Sequence, residues 1–397
     1  VKKSKECVVL DVNTNAVRMC QMAKTEEGKY VLKRYLSHPI PVDPQLGEYE
    51  ITLAVKNGIE AVLDGIKPCP VYCNIPSVSL FTRRRDLPVV PREKVSQIVR
   101  YEIQQQIPFG LDQIGMDYEI LKEHENGSWS VIMAAVKIEV MKEYLQALYS
   151  VINPHWVELI SSRPLATYNW LAHLGEVPKD GECTAIINLG YSSTDIIIDR
   201  EGIFQFTRPL NMGICDIAMG VAEDKKTNFT AALKMMRKDS IKWLDDPSVK
   251  TGDFKSVDDL VKHTKANQEE VDERSSANKT MNQLVSETMR SFSYFRSLPG
   301  GGQVTRVILT GDGSDNKSIV GYLKKQLGLD IVDVDLRGDL EIAPEAEEIH
   351  VYPENSAAIL GLALQGCGDV PLNINVHKVG KRSLLKSLIG RLKPSWQ

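Results

Sequence analysis

The sequence predicts an α/β protein of two similar lobes, with a smaller subdomain inserted into the first. Three observations predict it. A three-strand meander near the start returns about half a chain later. A segment of helices and strands with a different character lies between the two copies. The chain, at 397 residues, is also too long for one compact core.

The first meander opens at residues 8–12, an apolar, β-branched run that reads as a buried strand. Asn13-Thr14-Asn15 supplies the turn, residues 16–23 the second strand, Glu27-Gly28 the next turn and residues 30–36 the third strand. The plan repeats at 185–189, with a Gly190-Tyr191-Ser192-Ser193 turn, a strand at 194–199, a Glu201-Gly202 turn and a strand at 203–208. Laid together, Asp11 matches Asn188 and Asn13 matches Gly190. A duplicated meander with helices between its copies predicts two lobes of one design.

The intervening segment begins near 79. Pro91 opens a helix in which Val95, Ile98, Val99 and Ile103 recur at helical spacing, and Ile107-Pro108-Phe109 ends it. An extended stretch at 118–121, a strand at 130–136 and a second amphipathic helix with Val140, Tyr144, Leu145 and Leu148 complete the insert by 151. Residues 215–298 read as a polar helical subdomain, with charge-rich, solvated stretches at 237–274. The turn Gly311-Asp312-Gly313 follows a strand at 306–310, and 355–366 forms a last globular helix rich in small residues. The expected organisation is a first-lobe core at 1–78 with 152–182 and 355–368, the insert at 79–151, the second lobe at 183–354 and a basic tail at 369–397.

Composition excludes several function classes. Net charge is −4, while residues 378–397 hold six basic residues and no acid. No basic stripe marks the body, so nucleic-acid binding is not expected. A basic tail carrying Leu384, Leu385, Leu388, Ile389 and Leu392 on one helical face points instead to membrane contact through 378–397. No apolar run reaches the ~18 residues of a bilayer span and no secretory signal opens the sequence, so a cytoplasmic chain peripheral to the inner membrane is expected. Cys7, Cys20, Cys69, Cys73, Cys183, Cys215 and Cys367 are scattered through apolar contexts, as buried free thiols are. Cys69 and Cys73 lack the second Cys/His pair of a zinc site. The histidines form no nucleophilic triad, and no catalytic residue is assigned. The Arg83-Arg84-Arg85 run reads as a solvated edge strand.

Three strand-to-turn junctions carry the chemistry. They are 11–18, with Asp11, Asn13, Thr14, Asn15 and Arg18; 188–195, with Asn188, Gly190, Ser192, Ser193, Thr194 and Asp195; and 309–314, with Gly311, Asp312 and Gly313. Tight turns after strands aim backbone N–H groups and hydroxyls at one point, which suits phosphate oxygens. A carboxylate at a strand end, Asp11 here, suits Mg2+ held through waters. Each turn alone is explained as well by hairpin geometry.

The order of these junctions resembles the actin, Hsp70 and sugar-kinase superfamily, which implies an actin-like, ribonuclease H-like duplicated fold binding ATP or ADP with Mg2+. By that resemblance 11–18 and 188–195 are the phosphate motifs, 310–314 the adenosine motif, and the Asn355 helix the one that closes the nucleotide cleft. Within it, Arg85-Asp86-Leu87-Pro88, Tyr101-Glu102, Gln105 to Phe109, Leu111-Asp112 and Asp117-Tyr118 resemble the PilM family of type IV pilus assembly proteins, as do Ser193-Thr194-Asp195, Phe206-Thr207-Arg208 and Gly213. That family carries its insert as the division protein FtsA does. The resemblance implies a scaffold of the pilus inner-membrane platform. Its partners would be the N-terminal peptide of PilN, gripped in a groove between first-lobe core and insert, and the assembly ATPase. Self-association into a homo-oligomer stays open. An FtsA-like filament protein and a sugar or acetate kinase are the alternatives.

Departures from the superfamily pattern imply weak or absent ATPase activity. Asn13 stands where glycine is usual, Asn188 where an acid is usual, Arg18 for lysine and Asp312 for another glycine. Glu158 lies where a catalytic acid is common, and an exposed carboxylate at a helix start explains it equally. Leu372-Asn373-Ile374-Asn375-Val376 alternates apolar residues with asparagine and resembles the start of PilN, which gives two readings: a segment that occupies the PilN groove of its own chain or a neighbour's, or a linker that happens to contain these residues.

Overall fold

The computed structural model describes residues 5–41, 46–177, 181–237, 275–351, 353–368 and 370–377. They form two compact units, one from Val1–Glu176 with Leu336–Gln397 and the other from Val177–Asp335.

In the first unit the meander is β1 (Lys5–Val12), β2 (Ala16–Lys24) and β3 (Tyr30–Pro39). Parallel strands β4 (Val71–Ile75) and β8 (Val157–Ser162) extend it beyond β1. The short β14 (Glu341–Ile342) pairs with β3, giving the order β14-β3-β2-β1-β4-β8, with β8 at an edge. Residues 336–354, assigned to the second lobe from sequence, thus pack on the first unit. Nothing in the polarity of so short a strand marks which sheet it joins.

Helix α1 (Glu48–Leu63) packs on β2 and β3, while α4 (Arg163–His173) and α9 (Ala357–Cys367) pack together on the sheet. α9 is buried along nearly its whole length, so its small-residue sequence follows from close packing. A Cβ at Gly361 would lie 1.8 Å from the Ala166 carbonyl of α4.

The insert contains β5 (Phe81–Leu87), α2 (Arg92–Gln106), β6 (Ile114–Glu123), β7 (Trp129–Lys137) and α3 (Ile138–Tyr149). Its strands form a sheet in the order β5-β7-β6. Val95, Val99 and Ile103 of α2 are buried against Val131, Met133 and Ala135 of β7, as the helical spacing requires. The arginine run lies on edge strand β5, where Arg83 donates to Gln106 and Arg84 to Asp86.

The second unit repeats the plan with β9 (Cys183–Leu189), β10 (Thr194–Arg200), β11 (Ile203–Leu210), β12 (Val304–Thr310) and β13 (Asp330–Val332), ordered β11-β10-β9-β12-β13. Its helices are α5 (Ile214–Asp224), α6 (Phe229–Met236), α7 (Ser276–Ser297) and α8 (Lys317–Leu327). The charge-rich 237–274 stretch lies outside the described residues except for Arg237.

The duplication is one of register as well as order. Asp11 pairs across its hairpin with Arg18, and Asn188 pairs with Asp195. Each turn is closed by the same bond, from Asn13 N–H to Ala16 O at 2.9 Å and from Gly190 N–H to Ser193 O at 3.0 Å.

Candidate functional site

The first unit's turn sits at the end of β1. Asp11 is 2% exposed and accepts from Arg163 Nε at 3.3 Å, while Arg18 and Asn13 are also buried. Arg163 opens α4 directly after β8, which brings a guanidinium to the end of β1. The pair was not legible in the sequence, because 152 positions separate its members. Thr14 is exposed and Asn15 half-buried, and Asn15 O accepts from Ile40 N–H at 2.9 Å. The insert reaches the same turn: Tyr144 Oη donates to Val12 O at 2.6 Å, and burial pushes this phenol up to about 12. Asn355 lies half-buried in the short helical turn before α9, with its amide donating to Glu354. Glu158, expected at a helix start, is an exposed position near the beginning of strand β8.

In the second unit the remaining turns come together at one end of the sheet, where β9 and β12 finish. β9 and β12 are parallel neighbours, with Asn188 beside Thr310. Their C-terminal ends therefore place Gly190 and Gly311 side by side. Gly313 N–H donates to Leu189 O at 3.1 Å. Gly311 has φ +89, and a Cβ there would lie 2.5 Å from Asn188 Oδ1. Asn188 thus fills the space beside the 311–314 turn, and glycine is required at 311 on both counts. Thr194 Oγ1 donates to Met212 O at 2.7 Å, and Gly213 caps α5.

Close approach of turn to turn accounts for these glycines. A Cβ at Gly213 would lie 2.4 Å from Tyr191 O, and the Ile214 and Cys215 N–H groups donate to the carbonyls of Gly190 and Tyr191. Two first-turn N–H groups of α5 are thereby already satisfied. Ser192, Ser193 and Asp312 are half-buried at this end of the sheet, while Asp195 is buried beside Asn188. Cys215, next to Asp216, is a half-buried thiol that burial and the carboxylate push up to about 12.

The donor chemistry fits a nucleotide unevenly. Serine hydroxyls suit phosphate oxygens, and the Asp312 carboxylate suits the hydroxyls of a sugar. A Mg2+ ion on Asp11 would share the carboxylate with Arg163. Among the described residues no group of three His, Cys, Asp or Glu side chains could hold a metal ion. No helix among them is long and apolar enough to cross a membrane.

Comparison with known proteins follows this geometry. Residues 9–237 match the family described as Type IV pilus assembly protein PilM. The chain belongs to that family. The match runs through the first unit's turns, the insert and the 188–195 junction. Comparison with curated proteins finds no match. Among solved structures the chain is similar to a PilM-PilN type IV pilus biogenesis complex, at 20% identity and TM-score 0.69, covering 91% of this chain and 99% of that one. It also matches the ethanolamine utilization protein EutJ from Carboxydothermus hydrogenoformans at 11% identity and TM-score 0.43, covering 90% and 88% of the two chains. A match to MreB 5 of Spiroplasma citri bound to AMPPNP has 11% identity and TM-score 0.42, covering 98% and 99%. The fold is actin-like and two-lobed, and family membership favours pilus assembly over the division-filament and kinase readings.

Proposed function

We propose that the chain is a scaffold of the type IV pilus inner-membrane platform that binds the N-terminal peptide of PilN. The observation that carries this reading is the family match across the insert and the turns around it. The insert supports it physically. Asp117 and Gly115 on β6 and edge strand β8 lie against the chain's own residues 375–376, an arrangement suited to an extended peptide. The test is capture of PilN from solubilised inner membranes by the immobilised chain. Recovery of full-length PilN, lost when its N-terminal peptide is removed, is expected; equal recovery of the shortened PilN would overturn the reading.

The same reading includes ATP or ADP as a ligand held without fast turnover. In the second unit, Ser192, Ser193 and Asp312 would serve it. Mg2+, reached through water from Asp11, would supply charge neutralisation of the phosphates. Asn188 is a neutral amide and cannot take a proton from an attacking water, which supports binding without efficient hydrolysis. The assembly ATPase, a homo-oligomer and the membrane surface are further expected partners. The membrane contact falls on 378–397, outside the described residues; liposome flotation that is equal with and without those residues would remove it.

A further inference from the structure

Beyond α9 the chain runs back across the first unit. Residues 371–377 belong to no strand ladder, yet Leu372, Ile374 and Val376 are fully buried. Leu372, Ile374 and Val376 insert at alternate positions, as in an extended peptide, and Asn375 and His377 are buried with them. The sequence placed the end of the globular pattern at 368. The alternation of apolar residues with asparagine at 372–376 nonetheless carries the resemblance to a groove-bound peptide.

The surrounding body grips this segment as a peptide. Asn169 of α4 holds both polar groups of Leu372: its Oδ1 accepts the Leu372 N–H at 3.0 Å and its Nδ2 donates to the Leu372 carbonyl at 2.9 Å. Gln365 of α9 donates to Ile374 O at 2.9 Å. Asp117 of β6 accepts the Asn375 N–H at 2.8 Å. On the other side is the free edge of β8. Asn375 Oδ1 accepts from Ile160 N–H at 3.1 Å, Asn375 Nδ2 donates to Glu158 O at 2.8 Å, and Val376 N–H donates to Ile160 O at 3.0 Å. A side-chain amide thus stands where the peptide group of a neighbouring strand would. Gly115 of β6 closes the crevice, since a Cβ there would lie 2.4 Å from Val376 O.

Alternate pockets, a sheet edge and side chains aimed at backbone groups are the parts of a site that recognises extended peptides. We propose that residues 371–377 are the tethered resident of a peptide-recognition groove between β8 and β6. An incoming peptide with apolar residues at alternate positions and asparagine between them must displace this resident to bind. The tether gives the resident a high effective concentration. A groove open for only a fraction of the time weakens an outside peptide's apparent affinity by that fraction. The identity of the incoming chain as PilN rests on the function proposed above; the groove and its resident do not.

The test uses the full chain and a fluorescent synthetic peptide with the sequence of residues 371–378. The peptide is titrated against the unmodified chain, an Asn375→Ala variant and an Ile374→Asp, Val376→Asp variant. Asn375→Ala removes three side-chain hydrogen bonds without burying a charge, so it decides the matter should the doubly charged variant fail to fold. Binding at least about tenfold tighter to the opened variants is expected, as follows from a groove that is closed about nine-tenths of the time. Equal affinity for all three chains, or no binding to any, overturns the proposal. Hydrogen exchange on the unmodified chain is the second reading: saturating peptide should speed exchange at Leu372, Asn375 and Val376, and unchanged exchange there also overturns it. A PilN N-terminal peptide run in parallel separates the two claims. If it fails where the 371–378 peptide binds, the partner reading falls and the groove stands.

Discussion

Asn169 holds both backbone polar groups of Leu372, its Oδ1 accepting the N–H at 3.0 Å and its Nδ2 donating to the carbonyl at 2.9 Å, and Asn169 is completely buried. An amide side chain offers an acceptor and a donor in this spacing without charge. Asn169→Ala would leave both Leu372 groups without partners in a buried site. The expected loss is roughly 2–4 kcal/mol of unfolding free energy, measured by urea denaturation. Exchange at Leu372 should rise by more than the global stability change accounts for. Asn169→Asp, which sets a carboxylate against the Leu372 carbonyl in a buried site, should cost at least as much as Asn169→Ala.

Asp11 and Arg163 form a second test of buried chemistry. Breaking such a pair from one side leaves an uncompensated charge, a loss of about 3–5 kcal/mol. Arg163→Met should approach that loss. Adding Asp11→Asn to it should recover most of the stability, because no charge then remains unpaired. A double variant as unstable as Arg163→Met alone would show that the coupling lies elsewhere, in the packing of the arginine stem.

Alkaline sensitivity follows from the buried thiols and phenols. Burial pushes Tyr144 and Cys215 up to about 12. Cys7 is held well above the ordinary thiol range, first by its bond with Cys367, at 3.2 Å between the sulfurs, and then by burial. Cys20 and Cys73 are raised by burial. These folded values lie above the unfolded ones, so the stability they contribute is complete below the unfolded value of about 9 and is lost as pH rises through the folded values. Denaturation midpoints should therefore be flat from pH 7 to about 9 and fall between about 9 and 12. Tyr144→Phe should make that fall shallower.

Nucleotide binding is expected to raise the melting temperature when ATP and Mg2+ are added together. Gly311→Val should abolish that shift, since its φ of +89 and the nearby Asn188 Oδ1 leave no room for a side chain. Turnover should stay far below the ~10 s⁻¹ of a typical enzyme. Restoring an acid with Asn188→Asp should raise hydrolysis without strengthening binding.

The repeated hairpin was legible because its turn residues and apolar runs recur at one offset, and the structure gives Asp11–Arg18 and Asn188–Asp195 the same cross-strand register. The insert was legible because α2 repeats Val95, Val99 and Ile103 at helical spacing. Three features were hidden for physical reasons. Arg163 reaches Asp11 only through the sheet order, which brings the end of β8 to β1 by way of β4. β14 is two residues long and carries no periodicity. The grip on 371–377 depends on Asn169 and Gln365, whose side chains lie on helices where an amide is ordinarily a solvated position. Glu158 was misplaced because its apolar neighbours, Val157 and Leu159, do not separate a strand from a helix start over so short a run.

The most direct measurement is hydrogen exchange of the full chain with and without a PilN N-terminal peptide. The account predicts that Ile160 on the edge of β8 and β6 near Gly115 and Asp117 keep or gain protection, while exchange at Leu372 and Val376 speeds as the resident segment leaves. Protection confined to other elements, or binding that leaves 371–377 as protected as before, would contradict it.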